Sequence, residues 1–169
     1  MGLFRRKRNA SDAQDGPAAS PVPDAAADSE QTLEDVMAEQ ARELAGLAEA
    51  VFHPAPLPGP LDFTRSSLEV LDRTLGVLHD RRAELPISLQ NAAAAYIFEV
   101  ARREFGGRLL SYREEDPLIL VVGEPDFEAA LAAYSKVRGR VVNGPEDNIP
   151  FFYDGLVSAV AQRRSALII

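Results

Sequence analysis

Three carboxylates stand where acid chemistry could be assembled. Glu99 lies on a predicted helix beside the four alanines Ala92 to Ala95. Glu124 follows Gly123 at the end of a predicted strand, and Asp147 sits in the turn-rich segment NGPEDNIPFFY, residues 143–153. If the fold converged them, one carboxyl with a raised pKa could donate a proton while another drew one from water. That is the division of labour a hydrolase-like small-molecule enzyme requires. Each acid also has a plainer reading. Glu99 precedes Arg103 by four residues, the favourable direction for a helical ion pair. Glu146, Asp147 and Asn148 precede a helix with Pro150 in its first turn, where such side chains accept orphan N–H groups for about 1 kcal/mol each. Gly123 before Glu124 builds no nest for phosphate, and Glu124 would repel one.

Other chemistries find less support. Arg113, Glu114, Glu115 and Asp116 place three carboxylates in succession, but without the alternating ligands and central glycine of a calcium loop they read as a solvated turn. The chain has no cysteine and only His53 and His79, which excludes thiolate and multi-histidine metal sites within one chain; any metal would be held mainly by oxygen. His79, near a predicted helix C-terminus, reads as a capping or surface group, with no matched serine or second histidine in view. No cofactor is expected. Lys136, Arg138 and Arg140 alternate along one segment, where they would offset neighbouring carboxylates. The net charge of −8 argues against nucleic acid, whose phosphates need a basic face.

The elements that must position these residues follow from periodicity and punctuation. Leu33, Val36, Met37, Leu44, Leu47 and Val51 recur at helical spacing, with Thr32 and Asp35 as a capping pair, so residues 32–52 form an amphipathic helix. The prolines of 53–60 make an extended connector. A second helix begins after Thr64 and carries Leu68, Leu71, Leu75 and Leu78. A third runs from about Ser88 to Phe105, ended by Gly106 and Gly107. Arg108 to Tyr112 and Leu118 to Val122 have strand composition, and a loop over 113–117 should join them as an antiparallel hairpin. Phe127 to Ala132 suits a helix by propensity and a third strand by position, with strand favoured. A short helix over Lys136 to Val142, a last helix over 148–163 and an edge or trailing segment at Leu167 to Ile169 complete the order.

The expected fold is therefore α+β: a small antiparallel sheet of two or three strands packed against helices over 61–169, preceded by the amphipathic helix and a disordered leader over 1–31. Arg5, Arg6, Lys7 and Arg8 in the leader could make weak peripheral contact with an anionic membrane. No window is long and apolar enough to cross one, and no secretory signal follows the basic start, so a cytoplasmic location is expected.

LDFTRSSLEVLDRTL (61–75), YIFEVARREFGG (96–107), DPLILVVGEP (116–125) and KVRGRVVNGPEDNIPFFYDGLV (136–157) together resemble a bacterial, mainly actinobacterial, domain of unknown function. The resemblance runs from about Leu61 to Ile169. It implies the fold and no reaction; where similar domains carry an aromatic, often tryptophan, after the glycine pair, this chain has Tyr112. The leading functional expectation is a non-catalytic protein-interaction or regulatory module. Its first helix would either dock on the chain itself or enter a partner's groove through Leu33, Val36, Leu44 and Leu47. The alternative is the acidic enzyme site of Glu99, Glu124 and Asp147.

Overall fold

The computed structural model describes residues 32–52 and 57–169. The expectations for the leader, including Arg5, Arg6, Lys7 and Arg8, lie outside the described residues, as does part of the proline connector. The element order is α1 (Leu33–Phe52), α2 (Ser67–Arg81), α3 (Ile87–Phe105), β1 (Arg108–Arg113), β2 (Asp116–Val122), β3 (Ala129–Leu131), α4 (Ala133–Val142), a 3-10 turn (Pro145–Asp147), α5 (Ile149–Ala161) and β4 (Ala166–Ile168). The fold is α+β.

Helix α3 is the centre. Every residue from Ala92 to Ala101 is buried, so this helix must meet neighbours on all sides, and its run of alanines lets their backbones come close. Helix α1 lies along α3 and buries Met37, Ala41, Leu44 and Ala48, a spacing of four, three and four residues that puts all of them on one stripe. Its start is set as expected, by reciprocal bonds of Thr32 Oγ1 with the Asp35 N–H at 3.2 Å and of Asp35 Oδ2 with the Thr32 N–H at 3.2 Å. Glu34 then accepts from the Leu109 N–H at 3.4 Å, tying α1 to β1. Of the two fates expected for this helix, the structure has docking on the chain itself. Leu44 is core and Leu47 packs against the core, while Leu33 and Val36 stay exposed.

The sheet has four strands in the order β1-β2-β3-β4, where two or three antiparallel strands were expected. The first three pair antiparallel, and β4 joins β3 in parallel, Ala129 opposite Ala166 and Leu131 opposite Ile168. A parallel neighbour requires a crossover, here made by α4 and α5. Gly106 and Gly107 take positive φ, and a Cβ on Gly107 would stand 2.4 Å from the Val121 carbonyl oxygen; the glycine pair both ends α3 and lets β1 begin close against β2. The hairpin loop is shorter than expected, because Arg113 pairs with Asp116 inside the ladder and only Glu114 and Glu115 turn.

Alternation along the strands gives the sheet two unlike faces. Leu109, Leu120, Val122, Ala129 and Leu131 belong to the main core beneath the helices. Ile119, Val121 and Ala132, with Leu110 and Ala130 packed against them, form a second apolar cluster on the opposite face, and it contains no helix residue.

Two buried carboxylates join the layers. Asp72 on α2 accepts from Arg140 Nε at 2.8 Å and Nη2 at 3.1 Å, and from the Ile149 N–H that opens α5 at 2.9 Å. Gly76, one turn on, leaves the space the guanidinium fills: a Cβ there would be 2.6 Å from Arg140 Nη2. Asp116, fully buried on β2, accepts from the Ser135 N–H at 2.9 Å and from Arg113 Nη2 at 3.2 Å. It caps α4, whose own N-cap residue Ala132 has no side chain able to do so.

Two stability changes follow. Leu44→Ala should destabilise the full chain by about 2–5 kcal/mol in urea unfolding, the range for a core leucine; a change within error would mean that α1 is a detachable arm. Asp72→Ala should cost about 3–5 kcal/mol, because it leaves Arg140 buried without its counter-charge. A midpoint equal to wild type in the same assay would contradict the junction.

Candidate functional site

Glu99 is held by its own helix. Arg102 and Arg103, three and four residues on, reach back so that Arg102 Nε donates to Oε2 at 2.9 Å, Arg102 Nη2 to Oε1 at 3.2 Å, and Arg103 Nε to Oε1 at 2.7 Å. Burial pushes the carboxyl's pKa up, but the hydrogen bonds and charges of the two arginines outweigh it and hold the group below its ordinary value. Arg103 also lies 4.0 Å over the Phe63 ring, which stacks on Tyr96. Tyr96 in turn accepts from the Phe63 N–H at 2.8 Å and shares a 2.6 Å hydrogen bond with Ser67. Phe63 has φ +63, an unfavourable conformation for an aromatic residue that this stack and hydrogen bond hold in place. The crevice beside Glu99, lined by Met37, Leu109 and Leu120 among others, offers about 10 Å³, room for at most a water.

Glu124 pairs with Arg108, accepting from Nε at 2.7 Å and Nη2 at 2.8 Å, so the end of β2 is clasped to the start of β1. The Arg108 hydrogen bonds lower its pKa. Asp147 accepts from Lys136 Nζ at 2.7 Å and Asn143 Nδ2 at 2.7 Å, and these two, Lys136 first, hold its carboxyl below the usual range. The carboxylate lies over α4 at Gly139, where a Cβ would be 2.5 Å from Oδ2. The capping role expected for the acids at the start of α5 belongs instead to Asn148, which accepts from the Phe151 N–H at 2.9 Å, and to Asp72 from α2.

The structure does not assemble the three acids. Each is matched to a different cation, the Glu99 crevice and the basin at Asp147 share no lining residue, and Glu124 lines neither. All three have depressed pKa values, the opposite of what a general acid needs near neutral pH.

His79 is structural. Its Nδ1 is 3.0 Å from the Val141 carbonyl oxygen, which requires the proton on Nδ1, and Gly144, at φ +83, packs so closely that a Cβ would stand 2.5 Å from Nε2. Tyr153 donates to Glu104 at 2.7 Å, and burial, reinforced by that carboxylate, pushes its phenol up. Among the described residues no cluster of three or more metal-ligating side chains occurs, and Asp116 of the acidic turn faces inward.

Three features escaped the sequence. Asp72 and Arg140 look like charges on amphipathic helices; the only hint of their burial was Gly76 in the interior of α2. The second apolar face of the sheet was concealed in the run LILVV, whose alternating residues go to opposite sides. Open basins also flank Val142: one of about 600 Å³ with Arg113, Lys136, Arg138 and Asp147 in its walls, and one of about 770 Å³ with His79, Asp80, Arg82 and Glu84. No described helix is long and apolar enough to cross a membrane. Comparison of the chain with family models, curated proteins and solved structures found no match.

The charge state of Glu99 gives a pH test. Its folded-state pKa lies below the ordinary 4.5, so its pairing stabilises the fold above that value and the contribution fades as pH falls through the lower, folded value. Glu99→Gln should therefore be less stable than wild type at neutral pH, with the gap narrowing between about pH 5 and pH 3. Urea midpoints that differ by a constant amount across that range would show that Glu99 titrates alike in folded and unfolded chains.

Proposed function

We propose that the protein is a non-catalytic cytoplasmic interaction module whose binding surface is the outer face of its sheet. The observation that supports this reading is the second apolar cluster: Ile119, Val121 and Ala132 are buried, Leu110 and Ala130 half-buried, and they pack together with no helix residue among them. By strand alternation and register the face continues through exposed Tyr112 on β1 and exposed Leu167, the partner of Ala130, on β4. Sheets in α+β domains bury one face and commonly leave the other polar; the exposed apolar side chains of this face, Tyr112 and Leu167, are what a partner would cover.

Size favours one kind of partner. Four strands about 4.8 Å apart and 3 to 7 residues long span very roughly 300 Å², well under the ~800 Å² per partner of a stable protein interface. Two copies stacked through this face alone would be weak. A single amphipathic helix, ~10 Å across, fits within the face and would repeat on the outer side what α3 does on the inner side. The partner is therefore taken to present such a helix. The acidic-enzyme alternative draws no support from the site, since its three carboxylates are separately neutralised.

The test uses photocrosslinking residues placed singly at Tyr112, Leu167, Val36 and Ile87 in the full chain, expressed in its host. Crosslinks to one protein from Tyr112 and Leu167, and not from Val36 or Ile87, are expected. Tyr112→Glu and Leu167→Glu, both at exposed positions, should keep the fold by circular dichroism and weaken that partner about tenfold or more, equivalent to ~1.4 kcal/mol. Crosslinks confined to Val36 would return the binding role to α1.

A further inference from the structure

We propose that the basin that runs along α4 from Ser135 to Asn143, beside Arg113 of the β1–β2 hairpin, binds a small organic anion, a carboxylate or phosphate monoester carried on an apolar body. The proposal rests on observations of its own and stands whether or not the outer sheet face binds a partner.

Charge is the first argument. The side chains carry a net −8, yet Arg113, Lys136 and Arg138 all line this basin against a single side-chain carboxylate, that of Asp147. Of the alternating trio on α4, Arg140 is spent on Asp72 and Lys136 on Asp147, and Arg113 reaches the buried Asp116. Arg138 is exposed and makes no ion pair among the described residues. One guanidinium is thus left in surplus, and its planar fork of donors matches a carboxylate or phosphate better than any other side chain.

Shape and lining supply the second. The basin holds about 600 Å³, within the range of small-molecule sites. Ser135, whose backbone N–H goes to Asp116, has a hydroxyl with no hydrogen-bond partner among the described residues. Val142 and Ile169, 68% and 58% exposed, line the basin and give it apolar surface that a purely inorganic ion would not use. The neighbouring basin of about 770 Å³ is larger, but it sets Asp80 and Glu84 against Arg82 and His79. That makes it poor for anions and useful as an internal control.

The experiment is a titration of the full chain followed by amide NMR shifts, with phenyl phosphate and benzoate as anionic probes and benzyl alcohol as the neutral one. Saturable shifts centred on Ser135, Arg138 and Val142 are expected for the anions, with a dissociation constant of about a millimolar, and none for the alcohol. Arg138→Glu should weaken the anions tenfold or more, while Arg82→Glu in the other basin leaves them unchanged and both variants keep the wild-type spectrum elsewhere. The proposal is overturned if no saturable shift reaches the basin by about 10 mM, if benzyl alcohol binds as well as the anions, or if Arg138→Glu binds like wild type.

Discussion

Asp72 is the junction on which the second half of the fold is hung. A single buried carboxylate accepts from the Arg140 guanidinium on α4 and from the first backbone N–H of α5, so it joins α2 to two helices far from it in sequence. The crossover from β3 to β4 is built from α4 and α5, and the parallel strand β4 can close the sheet only if that crossover returns at the right height. Burying such a pair confers little net stability, because desolvation cancels much of the attraction. Its effect is on choice: a register of α4 against α2 that moved Arg140 from Gly76 and Asp72 would leave two charges without partners in the core.

A similar economy governs the other charges. Asp116 is fully buried so that α4 can begin without a capping residue of its own, and Asp147 folds over Gly139 so that Lys136 and Asn143 have an acceptor. Glycines at 76, 139 and 144 are the complement of these polar groups: each vacates the volume that a guanidinium, a carboxylate or an imidazole occupies. The segment from Lys136 to Asn148 is therefore explained largely as structure, and its dense polar character follows from connecting helices.

This is also why the fold was more legible in the sequence than the site was. Helical spacing, the Thr32–Asp35 cap, the glycine pair after Phe105 and the β-branched run at 118–122 are local signals, and they placed α1, α2, α3 and the hairpin to within a few residues. Strand β4 was harder: three apolar residues carry no period, and their partner Ala129 to Leu131 is reached only across two helices. Glu99, Glu124 and Asp147 drew attention because acids near glycine or alanine are unusual, yet spacing cannot say which cation each will meet. Asp72 drew none, and Arg140 was expected only to offset a neighbouring carboxylate, since a charge on an amphipathic helix is assumed to face water until its burial is seen.

The two proposed surfaces arise from what this arrangement leaves over. The helices share one core with one face of the four-stranded sheet, with α3 set among α1, α4 and β2, and the opposite face keeps its apolar alternation without a helix to meet it. Most cations along α4 are consumed in holding the crossover together, which isolates Arg138 as the one free to act outward. In each case the surface is defined by the packing that precedes it: had α4 or α5 crossed to the other side of the sheet, the apolar face would be core. The same inversion would detach Arg140 from Asp72 and strip Asp116 of the helix it caps. Which face of the sheet lies outermost is thus enforced by the buried charges, as long as they stay paired.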